Sequence, residues 1–150
     1  MVFYTHTHTQ RPEATTIQHI VDFLARHLDQ FGDDPEDIRK AIEYALSPSD
    51  SGKGGFVMTA RDNDRLVGAV VVNETGMEGY IPENILVYIA VHQDSRGKGL
   101  GKMLMEKALH TARGSVALHV EPDNPAVGLY RKLGFTNKYL EMRYVPSTAD

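Results

Sequence analysis

Residues 96 to 102 read Arg-Gly-Lys-Gly-Leu-Gly-Lys, glycines at alternate positions among three cations. An apolar stretch, Ile85 to Val91, precedes them, and Leu100, Met103, Leu104, Ala108 and Ala112 follow at helical spacing. A strand, a glycine turn and a helix start together suit an anion. The first-turn N–H groups have no partner inside the helix, and the helix dipole places partial positive charge there. Glycines at 97, 99 and 101 remove the Cβ atoms that would hold a bulky anion away, and Arg96, Lys98 and Lys102 add charge at the rim. The competing reading is a turn that binds nothing, although glycines inside a helix weaken it by roughly 1 kcal/mol each. Spacing narrows the choice of anion. A Walker A loop needs GxxxxGK[ST], but Arg96 stands where its first glycine belongs and Met103 follows Lys102. A dinucleotide fingerprint needs GxGxxG in the first βαβ unit, whereas this is GxGxG far down the chain. What remains is Arg-x-x-Gly-x-Gly.

A second group of residues lies in LHVEPDNPAVGLYRKLGF, 118 to 135. Asn124 is placed to cap a short helix by accepting an N–H two or three residues on. If Gly134 closes that helix in the left-handed conformation, Phe135 should contact Tyr130, five residues before it. His119 and Glu121 would share one strand face by period-2 alternation. His6 and His8 would share a face too, but two ligands without a third read as exposed strand residues, so no metal site is expected. With no cysteine in the chain, disulfides, thiolate metal sites and a cysteine nucleophile are excluded. No Gly-x-Ser-x-Gly elbow offers a serine.

These residues need elements to hold them. Val2 to Thr9 alternates like an edge strand, and Ile17, Ile20, Val21, Leu24, Leu28 and Phe31 predict a helix ended by Gly32. Asp34-Pro35 starts a second helix with Ile38, Ala41, Ile42, Ala45 and Leu46 on its apolar face. After the loop SPSDSGKGG (47 to 55) come strands at 55–60 and 66–72, turned at Asp62-Asn63-Asp64. A connection over 73–84 leads to a strand at 85–92 that is apolar on both faces, as in the middle of a covered sheet. The glycine turn then opens a helix closed by Gly114. A strand at 116–120, a short helix from Asn124-Pro125 and a strand at 135–145 complete an α/β or α+β layer fold.

Composition sets the class. The chain has 150 residues, 41% of them hydrophobic and 24% charged, as in a soluble one-domain protein. A net charge of −4 argues against a nucleic-acid partner and suits a cationic small molecule. The apolar run Ile85 to Val91 is too short to cross a bilayer, and MVFYTHTHTQ lacks the features of a signal peptide. The expectation is a cytoplasmic domain without a membrane partner.

The motifs YIAVHQDSRGKGLGKML (88 to 104) and 118 to 135 together resemble those of the GNAT (GCN5-related) N-acetyltransferase superfamily. The resemblance runs over most of the chain, but only residues 85 to 135 are specific. It implies one GNAT domain over 1–150, with a central mixed, mostly antiparallel sheet flanked by helices in the order β-α-α-β-β-β-α-β-α-β. It implies acetyl-CoA as donor, its pyrophosphate at Arg96, Gly97, Lys98, Gly99, Leu100, Gly101 and Lys102. The backbone of Ile89, Ala90 and Val91 would pair with the pantetheine arm, one N–H there polarising the thioester carbonyl, and Asn124 would lie near the cofactor. Tyr130 would meet the coenzyme sulfur and protonate the departing thiolate. The acceptor would be an amine of a small molecule or a protein, in a pocket made by the first two helices, the 47–55 loop and the 73–84 connection. A homodimer is among the assemblies allowed. The sequence departs from the pattern where an acidic pair is common, since Val87 and Tyr88 stand there. A general base is still needed to deprotonate an alkylammonium. Glu83 is the first candidate, His119 and Glu121 the next, and His92 reads as a solvated turn residue. A non-catalytic acyl-CoA-binding module on the same scaffold is the alternative.

Overall fold

A computed structural model describes residues 1–147 of the chain. Five strands form one sheet in sequence order: β1 (Val2–His6), β2 (Gly55–Asp62), β3 (Arg65–Glu74), β4 (Asn84–Val91) and β5 (Val116–Leu118). The first four pair antiparallel and β5 joins β4 in parallel. The helices are α1 (Ala14–His27), α2 (Pro35–Ala45), α3 (Leu100–Thr111) and α4 (Val127–Lys132). The order follows the sequence expectation through α4. Asn63 and Asp64 both have positive φ, 51° and 63°, the two-residue hairpin turn whose twist matches its strands.

Each helix lies where its apolar stripe directs it. Ile17, Ile20, Val21 and Leu24 of α1 and Ile38 and Ile42 of α2 form one buried cluster with Val57, Ala69, Val71, Tyr88 and Ala90 of the sheet. On the opposite face α3 packs closely over Gly68, where an added Cβ would stand 2.6 Å from Leu104 Cδ1. The β3–β4 register slips between Val71 and Val72, so that Tyr88 faces Val71, Leu86 faces Val72 and Val87 is the extra residue of a bulge. Along β4, buried residues alternate with half-buried ones, so the strand is not fully covered on both faces as its composition suggested.

By the compactness of its contacts the chain divides into two units, Met1–Leu118 and His119–Asp150. In the second unit the expected strand over 135–145 does not form. Tyr139, Leu140, Met142, Tyr144 and Val145 are exposed. Period-2 alternation states which face a strand would bury, but a ladder also needs a neighbouring edge, and this segment pairs with none among the described residues. β5 likewise ends at Leu118 instead of 120. No helix among the described residues is long and apolar enough to cross a membrane.

Candidate active site

After β4 the chain makes a single 3-10 turn over Gln93–Ser95 and reaches Arg96. Gly97 and Gly99 follow in the left-handed region at φ 80° and 81°, with Gly99 as the N-cap of α3. An added Cβ on either would meet nothing within 4 Å. Backbone shape therefore demands the glycines, and the space beside them is open to a ligand. Met103 N–H donates to Gly99 O at 3.1 Å, so the N–H groups of Leu100, Gly101 and Lys102 precede the first bond of the helix. Lys98 and Lys102 are exposed beside them.

The strand leading into this turn has a one-sided ladder. β4 pairs with β3 from Asn84 to Val91, but with β5 only from Asn84 to Leu86. From Val87 to Val91, including Ile89 and Ala90, the second edge has no strand partner among the described residues. An extended chain of amides could add itself there by main-chain hydrogen bonds and reach the glycine turn. Together the edge and turn match a ligand that is amide-bearing at one end and anionic at the other.

Arg96 departs from the rim position read from the sequence. Its guanidinium turns back onto the protein, donating from Nη2 to His27 O at 2.7 Å, from Nη1 to Asp29 Oδ2 at 3.0 Å and from Nε to Val91 O at 3.1 Å. His92 is not a solvated turn residue either. Its side chain is 14% exposed, its ring lies 4.3 Å from that of His27, and its Nδ1 accepts from Asp94 N–H. Arg65 Nη2 lies 2.7 Å from its Nε2. His27 is buried, and its Nδ1 has no partner among the described residues.

Burial first, and then the proximity of His92, Arg26 and Arg96, depresses the pKa of His27 below 6.5, against the pull of Asp29. His6 is lowered too, by burial and by Arg61. A group depressed on folding takes up its proton first in the unfolded chain, so stability is full above pH 6.5 and is lost as the pH falls toward the folded values. The thermal midpoint is therefore expected to fall between pH 7.5 and pH 5.5. His27→Leu should flatten that dependence without abolishing it, because His6 remains. An unchanged slope in the variant would refute the role of His27.

Glu83, the first candidate for the base, is engaged elsewhere. Oε1 accepts from Ser115 N–H at 2.6 Å and Oε2 from Gly79 N–H at 3.1 Å, while Gly114 has no Cβ to strike the carboxylate. These backbone donors hold its pKa below the ordinary carboxylate value, which makes a poor base. The side chain staples the 73–84 connection to the turn before β5. His119 and Glu121 lie beyond the end of β5, both exposed, so the shared strand face expected for them does not exist. The sequence reading missed Tyr88, whose hydroxyl donates to Asp33 Oδ2 at 2.5 Å. Burial and that carboxylate together push the phenol well above its ordinary value. The pair joins positions 55 apart, and nothing local in the sequence points to it.

Within the second unit, Asn124 Oδ1 accepts from Ala126 N–H at 2.9 Å, and Gly134 closes α4 at φ 101°. Phe135 N–H donates to Tyr130 O at 3.0 Å and the two rings lie 5.9 Å apart, the closing contact expected from the sequence. Tyr130 is buried, and burial raises its hydroxyl pKa, so it stays protonated at neutral pH.

Two clefts flank the far end of α3, roughly 18 Å of helix from the glycine turn. One, of about 410 Å³, is lined by Thr7, His8, Ser47, Glu74 and Arg113 among others. The second, of about 270 Å³, lies among Lys53, Glu74, Met77, Glu83 and Arg113. No group of three or more His, Asp or Glu side chains among the described residues gathers as a metal site.

The family model described as Acetyltransferase (GNAT) family matches residues 18–135. The chain is 28% identical over 100 residues to the N-alpha-acetyltransferase 30 of Schizosaccharomyces pombe, covering 63% of this chain and 67% of that one. It is 31% identical over 127 residues to the mycothiol acetyltransferase of Thermobifida fusca, covering 76% of this chain but only 39% of that relative's length. The crystal structure of the aminoglycoside antibiotic 6'-N-acetyltransferase AAC(6')-IG from Acinetobacter haemolyticus superposes with a TM-score of 0.66 at 15% identity, covering 100% of both chains. That last likeness is one of fold.

Proposed function

The chain belongs to the GNAT acetyltransferase family, and from that premise we propose that it is a cytoplasmic, acetyl-CoA-dependent N-acetyltransferase acting on a primary amine of a small molecule or a protein. The observation that carries the reading is the one-sided β4 edge ending in the glycine turn. Acetyl-CoA, when bound, supplies an activated acetyl thioester. The N–H groups of Gly97 to Lys102 hold its pyrophosphate, and Lys98 and Lys102 add charge. The edge of Ile89, Ala90 and Val91 orients the pantetheine arm, and an N–H of that strand polarises the carbonyl. Tyr130 would donate a proton to the departing sulfur, and Asn124, accepting from Ala126 N–H, holds the turn just before the helix that bears it. The acceptor enters by the clefts lined from 47–55 and 73–84, where Glu74 stands among Lys53 and Arg113 and neither α1 nor α2 supplies a wall.

Ligand binding tests the donor. CoA at 100 times its Kd should raise the thermal midpoint by roughly 5–10 °C, from about 2.7 kcal/mol of linkage, while NAD and ATP leave it unmoved. Equal shifts from all three would overturn the assignment. Thiol release from acetyl-CoA across an amine panel then tests catalysis. CoA binding without release by any amine would favour an acyl-CoA-binding module, a reading that the engaged Glu83 supports.

A further inference from the structure

We propose that the Arg96 side chain is a positioning residue that buckles the glycine turn to the end of α1, and not a ligand of the donor's phosphates. The inference rests on the donor reading above and departs from the rim role that its place in the motif suggests.

Three observations converge on it. The guanidinium spends N–H groups from all three of its nitrogens on the protein: His27 O, Asp29 Oδ2 and Val91 O. The His27 carbonyl is among the last of α1, where a carbonyl lacks an intrahelical partner and a cation meets the negative end of the helix dipole. Asp29 holds left-handed backbone at φ 55°, and its other oxygen, Oδ1, accepts from Gln93 Nε2 at 3.4 Å. The carboxylate thus faces the turn after β4 with both oxygens, and Arg96 closes the triangle between α1, β4 and the turn. A planar fork tied in three directions fixes the backbone around it. The N–H groups of Gly97 to Lys102 are then presented in one arrangement before a ligand arrives.

The two roles make opposite predictions for Asp29. If Arg96 were a phosphate ligand, Asp29 would compete for it, and Asp29→Asn would tighten the donor or leave it unchanged. As a buckle, Asp29→Asn loosens the turn. Expected results are a KM for acetyl-CoA raised about tenfold in Arg96→Ala, several-fold in Asp29→Asn, and no further in the double variant, with kcat within about twofold throughout. Arg96→Lys, which keeps charge but loses the fork, should resemble the alanine variant. Hydrogen exchange of residues 27–31 should also accelerate in Arg96→Ala without any ligand. An unchanged or lowered KM in Asp29→Asn, or multiplying effects in the double variant, would overturn the proposal. If the wild-type protein neither binds CoA nor turns it over, the donor reading fails. The exchange measurement then decides the buckle alone, and unchanged exchange at 27–31 would refute it.

Discussion

Tyr130→Phe is expected to lower kcat by roughly 100-fold, the low end of general acid catalysis, while the Kd for CoA stays within about twofold. The low end applies because a thiolate with a pKa of ~8.5 leaves tolerably well without a proton, whereas an alkoxide or amide would not. A phenol near ~10 protonating that thiolate is uphill by only ~2 kcal/mol. Burial raises Tyr130 further and makes the transfer steeper. The same burial has a second consequence: the hydroxyl remains a donor across the neutral range, so any alkaline limb of kcat due to Tyr130 lies above pH 10. The ring contact with Phe135 survives in the variant, which removes only the hydroxyl. Stopped-flow or steady-state thiol release with the best amine of the panel measures the loss. A kcat within threefold of wild type would remove Tyr130 as the acid and leave it as a packed ring at the end of α4.

The second large effect is on the fold. Gly55→Ala should leave little folded protein at 37 °C, with a destabilisation above ~3 kcal/mol wherever it can be measured by denaturant. Gly55 opens β2 at φ 133°, a conformation that side chains rarely adopt, and its missing Cβ points at Val72 O from 2.0 Å. The obstacle is the backbone of β3, which pairs with β2 along its length, so no rotamer can relieve it. Gly52→Ala is the control. It is also left-handed, at φ 82°, but has nothing within 4 Å, and it should show only the conformational cost of about 1–2 kcal/mol. Equal losses in the two variants would mean that conformation alone, and not the β3 carbonyl, decides the position.

These two glycines show how far local reading extends. SPSDSGKGG reads as a loop, and as far as Gly54 it is one apart from a single 3-10 turn at Ser49–Ser51. That its last glycine is irreplaceable depends on Val72, which approaches only when the hairpin closes. The same division runs through the candidate site. Gly97 and Gly99 were singled out for their missing Cβ atoms, and the structure adds a second local demand, left-handed backbone before a helix. The Tyr130–Phe135 contact was legible for the same reason, since it spans five residues. Asn124, by contrast, falls one turn short of its expected capping role: it accepts from Ala126 N–H, and Ala126 itself is the N-cap of α4. Arg96, Glu83 and His92 were misplaced, because a long or titratable side chain takes its role from whichever partner the fold delivers. Arg96 met the end of α1, Glu83 met the backbone at Gly79 and Ser115, and His92 met the His27 ring.

By itself, the sequence determined the element order through α4, the glycine turn at a helix start and the family whose motifs it carries. The elements and the turn are written in spacings shorter than one element, and the family in two short motifs that each join a strand to the helix after it. Only the tertiary structure decided which carboxylate and which guanidinium are free, where β4 loses its second neighbour, and that residues 135–145 go without one. Those depend on contacts between residues far apart in the chain, and local propensity carries no information about a partner that folding has yet to bring near.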